Sequence, residues 1–374
     1  MTTRVVFVQP YLAAYRVSFY RRLSSVLADD GMRVEVVVGH RDSSREDSGD
    51  WPVTEWPDPL GGWTGDRVRW RRGAFDFHDL VVMEQAIRNI DAWTLGSRSR
   101  RARPGLALWG HGGSADGTGM LKRRAKAWLT SRADWFFAYT QGAAGHVVAD
   151  GFPSTRVTVV GNTVDTADLR AAIAAVSDRE LDDFRRRHHV VPGRTALFMG
   201  GVDEAKDIEF LLDSAVAAAD RLEGFTLLVA GAGAMLDDVR RAQEAGFPVH
   251  ALGRVDGTEK AVALRAADLL MIPRGVGLVA IDSLVAGLPI VTVEGRGHGP
   301  EVEYLTDRQC LTLPQSTDAH SFGIHVADLL QSPRTLIDMS RSCRDAADMH
   351  TMDGMVGAFR EGLLALRDIH EHGL

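Results

Sequence analysis

Cysteine is scarce in this sequence of 374 residues, because only Cys310 and Cys343 occur. Two cysteines exclude a disulfide framework, and we expect the protein in a reducing cytoplasm. The first residues lead into a strand-like segment without the apolar stretch of a signal peptide. No window of about 18 residues is apolar and uncharged enough to span a membrane. Thirteen histidines are scattered without metal-ligand spacing, and we expect no metal site.

Positive charge is also in deficit. The chain has 43 Lys and Arg against 50 Asp and Glu, a net charge of −7, which argues against nucleic acid as a partner. The deficit is uneven, because residues 1–163 have 22 basic and 17 acidic residues (+5), whereas residues 164–374 have 21 and 33 (−12). The basic first half fits an anionic acceptor or a membrane surface, and ordinary variation of surface charge is the alternative.

Short apolar, β-branched runs alternate with helical stretches along the chain. Their hydrophobicity is continuous rather than alternating, which is typical of parallel strands buried on both faces. The predicted strands are 4–9, 34–39, 79–83, 106–110, 134–139, 157–162, 195–200, 226–231, 249–253, 269–273, 289–293 and 310–313. The predicted helices are 17–28, 120–130, 178–187, 207–221, 235–245, 257–267, 282–286, 319–330 and one or two helices over 352–370. This alternation predicts two doubly wound, Rossmann-like α/β domains.

The domain boundary is predicted near Asn162–Asp165, after the last strand of the first half. We expect residues 1–163, joined by a C-terminal helix over about 355–374 that crosses back, to form one domain, and residues 164–354 the other. Residues 41–73, rich in Trp, Pro, Gly, Asp and Arg, are predicted to be a long irregular excursion. Ligands of such folds bind beyond the carboxyl ends of strands, so we expect a cleft between two facing sheets to hold the site.

The most informative stretch is 268–291, DLLMIPRGVGLVAIDSLVAGLPIV. A buried strand is followed by a glycine-containing turn and a helix that opens near Gly277. Amide N–H groups at such a helix start favour an anion, and Gly275 and Gly277 would let a phosphate approach closely. Asp282 lies early in this helix, where its carboxylate could accept hydrogen bonds from sugar hydroxyls or complement the helix dipole.

This stretch resembles the signature of the retaining group 1 enzymes of glycosyltransferase family four, which have the GT-B fold. Gly277-Leu278-Val279 matches the family's glycine loop, and 287–291 (GLPIV) matches the end of its helix. Asp282 stands where the family has its second Glu, which implies that it holds the ribose of a nucleotide. The family's first Glu is missing, since Arg274 stands eight positions before Asp282 and the loop is short, as in a compact-loop subgroup.

Residues 198–212 (FMGGVDEAKDIEFLL) are similar to a second family motif, in which an Arg and a Lys neutralise the donor diphosphate. Lys206 occupies the Lys position, and Gly201, beside Gly200, stands where Arg is usual. The alternative for Lys206 is a solvated lysine. Since a lone Lys cannot reproduce a guanidinium fork, our hypothesis is that Arg274 supplies the second positive charge.

Three further segments follow the family's order. The glycines of VAGAG, Gly231 and Gly233, resemble the loop after its second strand and lack the third glycine of a dinucleotide fingerprint. Gly253-Arg254-Val255 resembles the segment whose backbone frames the nucleotide base. Glu301, in GHGPE, is a candidate for the donor site. The donor residues predicted by the resemblance are Gly200, Gly201, Lys206, Gly231, Gly253, Arg254, Val255, Arg274, Gly277, Leu278, Val279, Asp282 and Glu301.

The first half supplies His111, in the glycine-rich loop LWGHGG directly after a strand. A histidine there can donate to a hydroxyl or a phosphate, and the resemblance implies contact with the transferred sugar; a solvent-facing histidine is the alternative. We predict His111, Lys206 and Arg274 as the catalytic residues. The predicted acceptor-side residues, at or near strand ends, are Gln9, Tyr11, Tyr15, Arg16, Glu84 and His111.

The resemblance implies transfer of a sugar from a nucleoside-diphosphate sugar with retention, and without a metal or other cofactor. The acceptor is either a lipid-linked or polysaccharide glycan at the membrane surface or a small natural product. The basic helix with Lys122, Arg123, Arg124, Lys126 and Trp128 favours peripheral membrane contact, and a solvated face with one core aromatic is the alternative. Because the first Glu and an Arg are absent, a non-catalytic sugar-nucleotide-binding protein is the competing function.

Overall fold

The computed structural model describes residues 2–9, 12–38, 53–55, 75–87, 89–113 and 119–372. The chain divides into two compact units. Unit 1 consists of Met1–Asp165 and Met352–Leu374, and unit 2 of Thr166–Thr351. The sequence places the two boundaries at 163/164 and 354/355, and the structure places them at 165/166 and 351/352.

Unit 1 contains a parallel sheet of seven strands. The strands are β1 (Thr3–Gln9), β2 (Met32–Val38), β3 (Val53–Glu55), β4 (Leu80–Glu84), β5 (Gly105–Gly110), β6 (Trp135–Ala138) and β7 (Val157–Val159), and the helices that follow them include α1 (Val17–Asp29), α2 (Ile90–Ser97), α3 (Met120–Ser131) and α4 (Gln141–Ala149). The strand order is β3-β2-β1-β4-β5-β6-β7. Because helices cover both faces, strands such as β1 are apolar without alternation, and its residues 5–8 are fully buried.

Unit 2 contains a parallel sheet of six strands in the order β10-β9-β8-β11-β12-β13. The strands are β8 (Thr195–Met199), β9 (Thr226–Ala230), β10 (Val249–Gly253), β11 (Leu269–Met271), β12 (Ile290–Val293) and β13 (Cys310–Leu313), and the helices are α5 (Thr166–Ala175), α6 (Asp178–Arg187), α7 (Ile208–Arg221), α8 (Leu236–Glu244), α9 (Gly257–Ala266), α10 (Val279–Ala286), α11 (Ala319–Leu330) and α12 (Pro333–Ala347). Chain order reverses between β1 and β4 in unit 1 and between β8 and β11 in unit 2, so the loops after these strands lie at switch points, where such sheets bind ligands.

The last helix, α13 (Met352–His372), packs into the core of unit 1. Its buried side chains recur every three or four residues, at Met352, Met355, Phe359, Leu363 and Leu366. The guanidinium of Arg360 forms a bidentate ion pair with the Asp30 carboxylate, at 2.6 and 2.7 Å. The predicted fold class, two Rossmann-like domains with a returning C-terminal helix, is therefore confirmed.

The sequence analysis missed several elements. Strand β3 lies inside the segment predicted as an irregular excursion, most of which is outside the described residues. Helices α2, α4, α5 and α12 were not predicted. Two glycines weaken the intrinsic helix propensity of α4, which begins instead at a Thr140 cap whose hydroxyl accepts from the amide of Ala143. A proline at the first position of α12 was an available signal.

No helix in the described parts of the chain combines the length and the apolar character needed to cross a membrane. The two cysteines are free and buried. Burial raises the pKa of the Cys310 thiol to about 11 and that of Cys343 to about 12, so both thiols are protonated at neutral pH.

Phe359 provides the first test, because its fully buried ring contacts the rings of Phe7, Phe19, Trp109 and Phe137. Truncation to Ala leaves a cavity that the surrounding rings cannot fill, so we expect Phe359→Ala to lower the unfolding free energy of unit 1 by about 3–5 kcal/mol. All eight tryptophans precede residue 166, so tryptophan fluorescence during urea denaturation reports on unit 1 alone.

The matched control for Phe359→Ala is Ile337→Ala, because Ile337 is 59% exposed and lies on α12 of unit 2. It should leave the fluorescence transition unchanged. A change below about 1 kcal/mol for Phe359→Ala would show that α13 does not belong to the cooperative core of unit 1.

Candidate active site

The loops after β8 and β9 pack backbone against backbone. The amide of Gly200 donates to the carbonyl of Ala230 and that of Val202 to the carbonyl of Ala232, both at 3.0 Å. A Cβ atom at Gly231 would overlap the carbonyl oxygen of Gly200, and one at Gly233 would overlap that of Val202. The Gly-x-Gly sequence is therefore required for this close approach.

The loop after β10 continues the same hydrogen-bonded edge. The carbonyl of Gly253, whose φ is +71°, accepts a 2.7 Å hydrogen bond from the amide of Gly231. The next residue, Arg254, is exposed and its Nε donates to the Asp256 carboxylate at 2.8 Å, while Val255 is partly buried. Three loops thus form one continuous surface at the carboxyl edge of the sheet.

Lys206 connects the loop after β8 with the loop after β11. It ends a short 3-10 turn, and its ammonium donates a hydrogen bond to the carbonyl of Gly275. Gly275 has a φ of +71°, and a Cβ atom there would meet the Lys206 side chain. Burial lowers the pKa of the Lys206 ammonium, an effect that the Asp203 carboxylate opposes. The structure thus brings Lys206 next to the turn that precedes α10.

His298 fixes the turn before α10, although the sequence analysis did not select it. Its Nδ1 accepts a 3.1 Å hydrogen bond from the amide of Val276, which leaves Nε2 to donate to the carbonyl of Val293 at 2.7 Å. Burial lowers the pKa of His298, the Val293 carbonyl opposes this, and Lys206 adds to it. The GHGPE segment was noted for its Glu, and a histidine between glycines was the signal overlooked.

Asp282 lies on the first turns of α10 and is 7% exposed. Its carboxylate accepts a 2.7 Å hydrogen bond from the ammonium of Lys260, a residue of α9 that the sequence analysis did not select. Glu301 is buried, and its Oε2 lies beside the backbone of Gly277 and Gly299. The two predicted carboxylates thus lie near the beginning of α10, and the Lys260 ammonium fixes that of Asp282.

The remaining donor-site residues lie on the same loops. Gly201 is partly buried after β8, and Arg274 is exposed in the turn after β11. Gly277, Leu278 and Val279 lead into α10, and the amides of Ala280 and Ile281 donate to the carbonyls of Gly277 and Leu278, both at 2.9 Å. Sequence reasoning therefore placed Lys206, Arg274 and the start of α10 on neighbouring loops, as the structure has them.

In unit 1, Gln85 holds the loop that contains His111. Its Oε1 accepts from the amide of Gly112 at 3.1 Å, and its Nε2 donates to the Thr130 hydroxyl at 2.7 Å. His111 is exposed, and its ring lies nearly perpendicular to the Tyr139 ring, with ring centroids 4.5 Å apart. Desolvation by surrounding protein atoms, with a smaller effect of Lys126, lowers the pKa of His111 to about 4. The imidazole is therefore neutral at physiological pH.

The predicted acceptor-side residues differ in their surroundings. Arg16 is 8% exposed: its guanidinium donates to the Asn162 side chain at 2.6 Å and lies 4.4 Å from the centre of the Trp109 ring. These contacts stabilise unit 1, whereas Tyr15 is exposed. Gln9 and Glu84 end the neighbouring strands β1 and β4, and Tyr11 lies outside the described residues.

Among residues 2–372, apart from the stretches the structure does not describe, no group of three or more His, Cys, Asp or Glu has the geometry to hold a metal ion. The acidic and histidine side chains discussed above contact amides, carbonyls and cations instead.

A family model matches the part of the chain that forms this site. The model of the family Glycosyl transferases group 1 matches residues 193–332, which cover β8 to α11. The matched residues all lie in unit 2 and include the stretches 198–212 and 268–291, whose motifs resemble this family.

Curated relatives match a shorter part of the chain. A phosphatidyl-myo-inositol mannosyltransferase of Mycobacterium leprae is 34% identical over 106 residues, which cover 26% of this chain and 28% of the relative. The same-named protein of Mycobacterium tuberculosis is 33% identical over 122 residues, covering 31% and 30%. The match thus spans less than a third of these relatives' own length.

Solved structures match over nearly the whole chain. Anabaena HepE in complex with UDP superposes with a TM-score of 0.73 at 14% identity and covers 97% of this chain and 100% of HepE. A glycosyltransferase from Rickettsia africae gives 0.71 at 11% identity, with 98% of each chain covered. WaaG, a glycosyltransferase of lipopolysaccharide biosynthesis, gives 0.65 at 15% identity, with 96% and 98% covered. At these identities the likeness shows the fold, and the predicted GT-B fold is confirmed.

The close approach at Gly233 generates the second prediction. A methyl group there meets the Val202 carbonyl, so Gly233→Ala must separate the loops after β8 and β9. We expect a loss of about 1–3 kcal/mol in the unfolding free energy of unit 2, measured by urea denaturation with circular dichroism. Gly145→Ala on α4 is the control, since open space surrounds that glycine. Equal stability of the two variants would contradict the packing argument.

His298 generates the third prediction. Because burial lowers its folded pKa below about 6.5, the unfolded chain takes up this proton first as the pH falls. The stability that neutral His298 contributes is therefore complete above about pH 6.5 and is lost as the pH falls towards the folded pKa. We expect His298→Ala to cost about 1–3 kcal/mol at about pH 7, because the Val276 amide loses its acceptor, and to cost less near about pH 5.

Urea denaturation at both pH values measures the His298 effect. His320→Ala is the control, since His320 is exposed on α11. A cost for His298→Ala that does not shrink at acid pH would mean that the neutral imidazole is not the stabilising form.

Proposed function

We propose that this protein is a glycosyltransferase that moves a hexosyl group from a nucleoside-diphosphate sugar to an acceptor, with retention and without a dedicated metal. The group 1 family match over residues 193–332 supports the activity. The names of the relatives add mannosyl transfer, and the fold neighbour HepE has been solved with UDP and with UDP-glucose. In this proposal unit 2 binds the donor and unit 1 the acceptor.

One observation carries the donor site: the Lys206 ammonium contacts the turn that leads into α10. The positive charge and the helix start both favour an anion at this position. A diphosphate there would give the half-buried ammonium an anionic partner and would favour its charged form. Arg274, exposed in the same turn, adds the second positive charge in place of the family's usual Arg.

The proposed reaction breaks the bond between the anomeric carbon and the phosphate oxygen and forms a bond from that carbon to the acceptor heteroatom. The bonding electron pair leaves with the diphosphate, so negative charge develops on its oxygens. Lys206, Arg274 and the positive end of the α10 dipole stabilise this charge electrostatically. The acceptor proton passes to the leaving phosphate oxygen, as the family resemblance implies. No covalent sugar–enzyme intermediate is proposed, since none of the predicted site residues is a convincing nucleophile.

Asp282 and Glu301 are proposed to bind the nucleoside part of the donor. The Lys260 ammonium holds one carboxylate oxygen of Asp282, which fixes the direction of the other. Asp282 is shorter than the family's Glu, and the contact with Lys260 compensates by keeping it in one orientation. His111, neutral because its pKa is about 4, acts as a hydrogen-bonding partner for a hydroxyl.

A panel of nucleoside diphosphates and their sugars, tested by thermal shift, examines the proposal directly. We expect one base to raise the melting temperature of unit 2, since a ligand that binds only the folded state stabilises it. Hydrolysis or transfer with the same donor then separates an enzyme from a non-catalytic sugar-nucleotide-binding protein. Binding without any turnover of the donor would favour the non-catalytic function, and no binding by any nucleotide would refute both.

The fourth prediction concerns the two cations. Lys206→Met removes the charge but keeps most of the apolar stem, so we expect turnover to fall by about 10²–10³. Arg274→Ala should weaken donor binding, measured by calorimetric titration, because the diphosphate loses its second cation. Arg308→Met is the control, as Arg308 is an exposed cation of unit 2 outside these loops. Unchanged donor affinity in Arg274→Ala would exclude its proposed role.

A further inference from the structure

Helix α3 of unit 1 exposes apolar side chains that the proposed chemistry does not use. Leu121 is 83% exposed and Met120 is 68% exposed, next to the first turn of the helix. Trp128, seven residues after Leu121 and therefore on the same helix face, is 44% exposed. A projecting pair of large apolar residues is unusual on a surface that faces only water.

The same helix carries a concentrated positive charge. Lys122, Arg123 and Arg124 are all exposed, and none forms an ion pair with another residue that the structure describes. The sequence of α3, MLKRRAKAWLTS, contains no acidic residue. Two apolar residues and three cations thus lie next to one another at the start of one helix, and the helix itself contributes no carboxylate.

The other end of α3 is anchored. Leu129 and Thr130 are buried, and the Thr130 hydroxyl accepts the hydrogen bond from Gln85. The Trp128 ring stacks on Trp93, with centroids 5.0 Å apart and planes within 11°. The helix is therefore held rigidly at its C-terminal end, while its first five residues, 120–124, are exposed on all sides.

We propose that the N-terminal half of α3 docks on the surface of an anionic membrane. Leu121 and Met120 would enter the boundary between headgroups and acyl chains, and Lys122, Arg123 and Arg124 would contact lipid phosphates. A nucleic acid would leave the two apolar side chains in water. A second copy of the chain is disfavoured, because pairing two such helices would bring six uncompensated cations together.

Membrane docking would bring unit 1 next to lipid-borne acceptors, and it does not depend on the catalytic activity. Its test therefore uses the whole protein with vesicles and no donor. Flotation with phosphatidylcholine vesicles is compared with flotation with vesicles that also contain phosphatidylserine. We expect binding only to the anionic vesicles, weakened by added salt.

Two variants separate the contributions. Replacing all three exposed cations (K122Q, R123Q and R124Q together) should lower partitioning about a hundred-fold, at roughly five-fold for each charge. Replacing the apolar pair (M120S and L121S together) should lower it on the order of ten-fold. All five side chains are exposed, so unit 1 should remain folded, as tryptophan fluorescence will verify.

The matched controls lie on unit 2. R308Q with R334Q removes two exposed cations, and I337S with M349S removes two exposed apolar side chains. These variants should bind anionic vesicles as the native protein does. Absence of vesicle binding, equal losses in the control variants, or a change in oligomeric state without lipid would each overturn the proposal.

Discussion

The carboxyl edge of the unit 2 sheet depends on a backbone contact that only glycine permits. Because Gly231 and Gly233 lack side chains, the loop after β9 lies directly on the carbonyls of Gly200 and Val202. This contact fixes the path of the loop after β8 and therefore the direction in which Lys206 leaves the sheet. The hydrogen bond from Lys206 to Gly275 then sets the turn before α10. The positions of Lys206 and of the turn before α10 thus depend on the lack of a Cβ atom at Gly231 and Gly233.

Unit 2 is acidic overall, but cations offset its negative charge locally at the proposed site. Residues 166–351, which form unit 2, have 19 basic and 28 acidic residues, and their net charge of −9 would on its own repel a diphosphate. The repulsion is offset locally, because Lys260 neutralises Asp282 and Lys206 lies half-buried against a carbonyl rather than a carboxylate. A cation without a carboxylate partner retains its attraction for an anionic ligand.

Most of the fold was predictable because buried parallel strands are continuous apolar runs, and all twelve predicted strands are present. The sequence did not predict α4, because its helix propensity is weak, or β3, because it lies inside a polar segment. Both elements depend on tertiary contacts. The site was predictable where a residue follows a strand, as Lys206 does. Lys260 lies 22 residues before its partner Asp282 and no local pattern marks it, whereas the glycines on either side of His298 were a local signal.

The return of α13 to unit 1 sets the order in which the protein can fold during translation. The ribosome makes all of residues 166–351 after the strands of unit 1 and before α13. At usual rates of synthesis this takes roughly 10–40 s. Throughout that time α13 is absent, so Phe359 does not yet cover the aromatic side chains of unit 1, which include Phe7 and Phe137. Unit 2 can therefore fold before unit 1 is complete, and this aromatic face of the nascent first half stays exposed until α13 has been made.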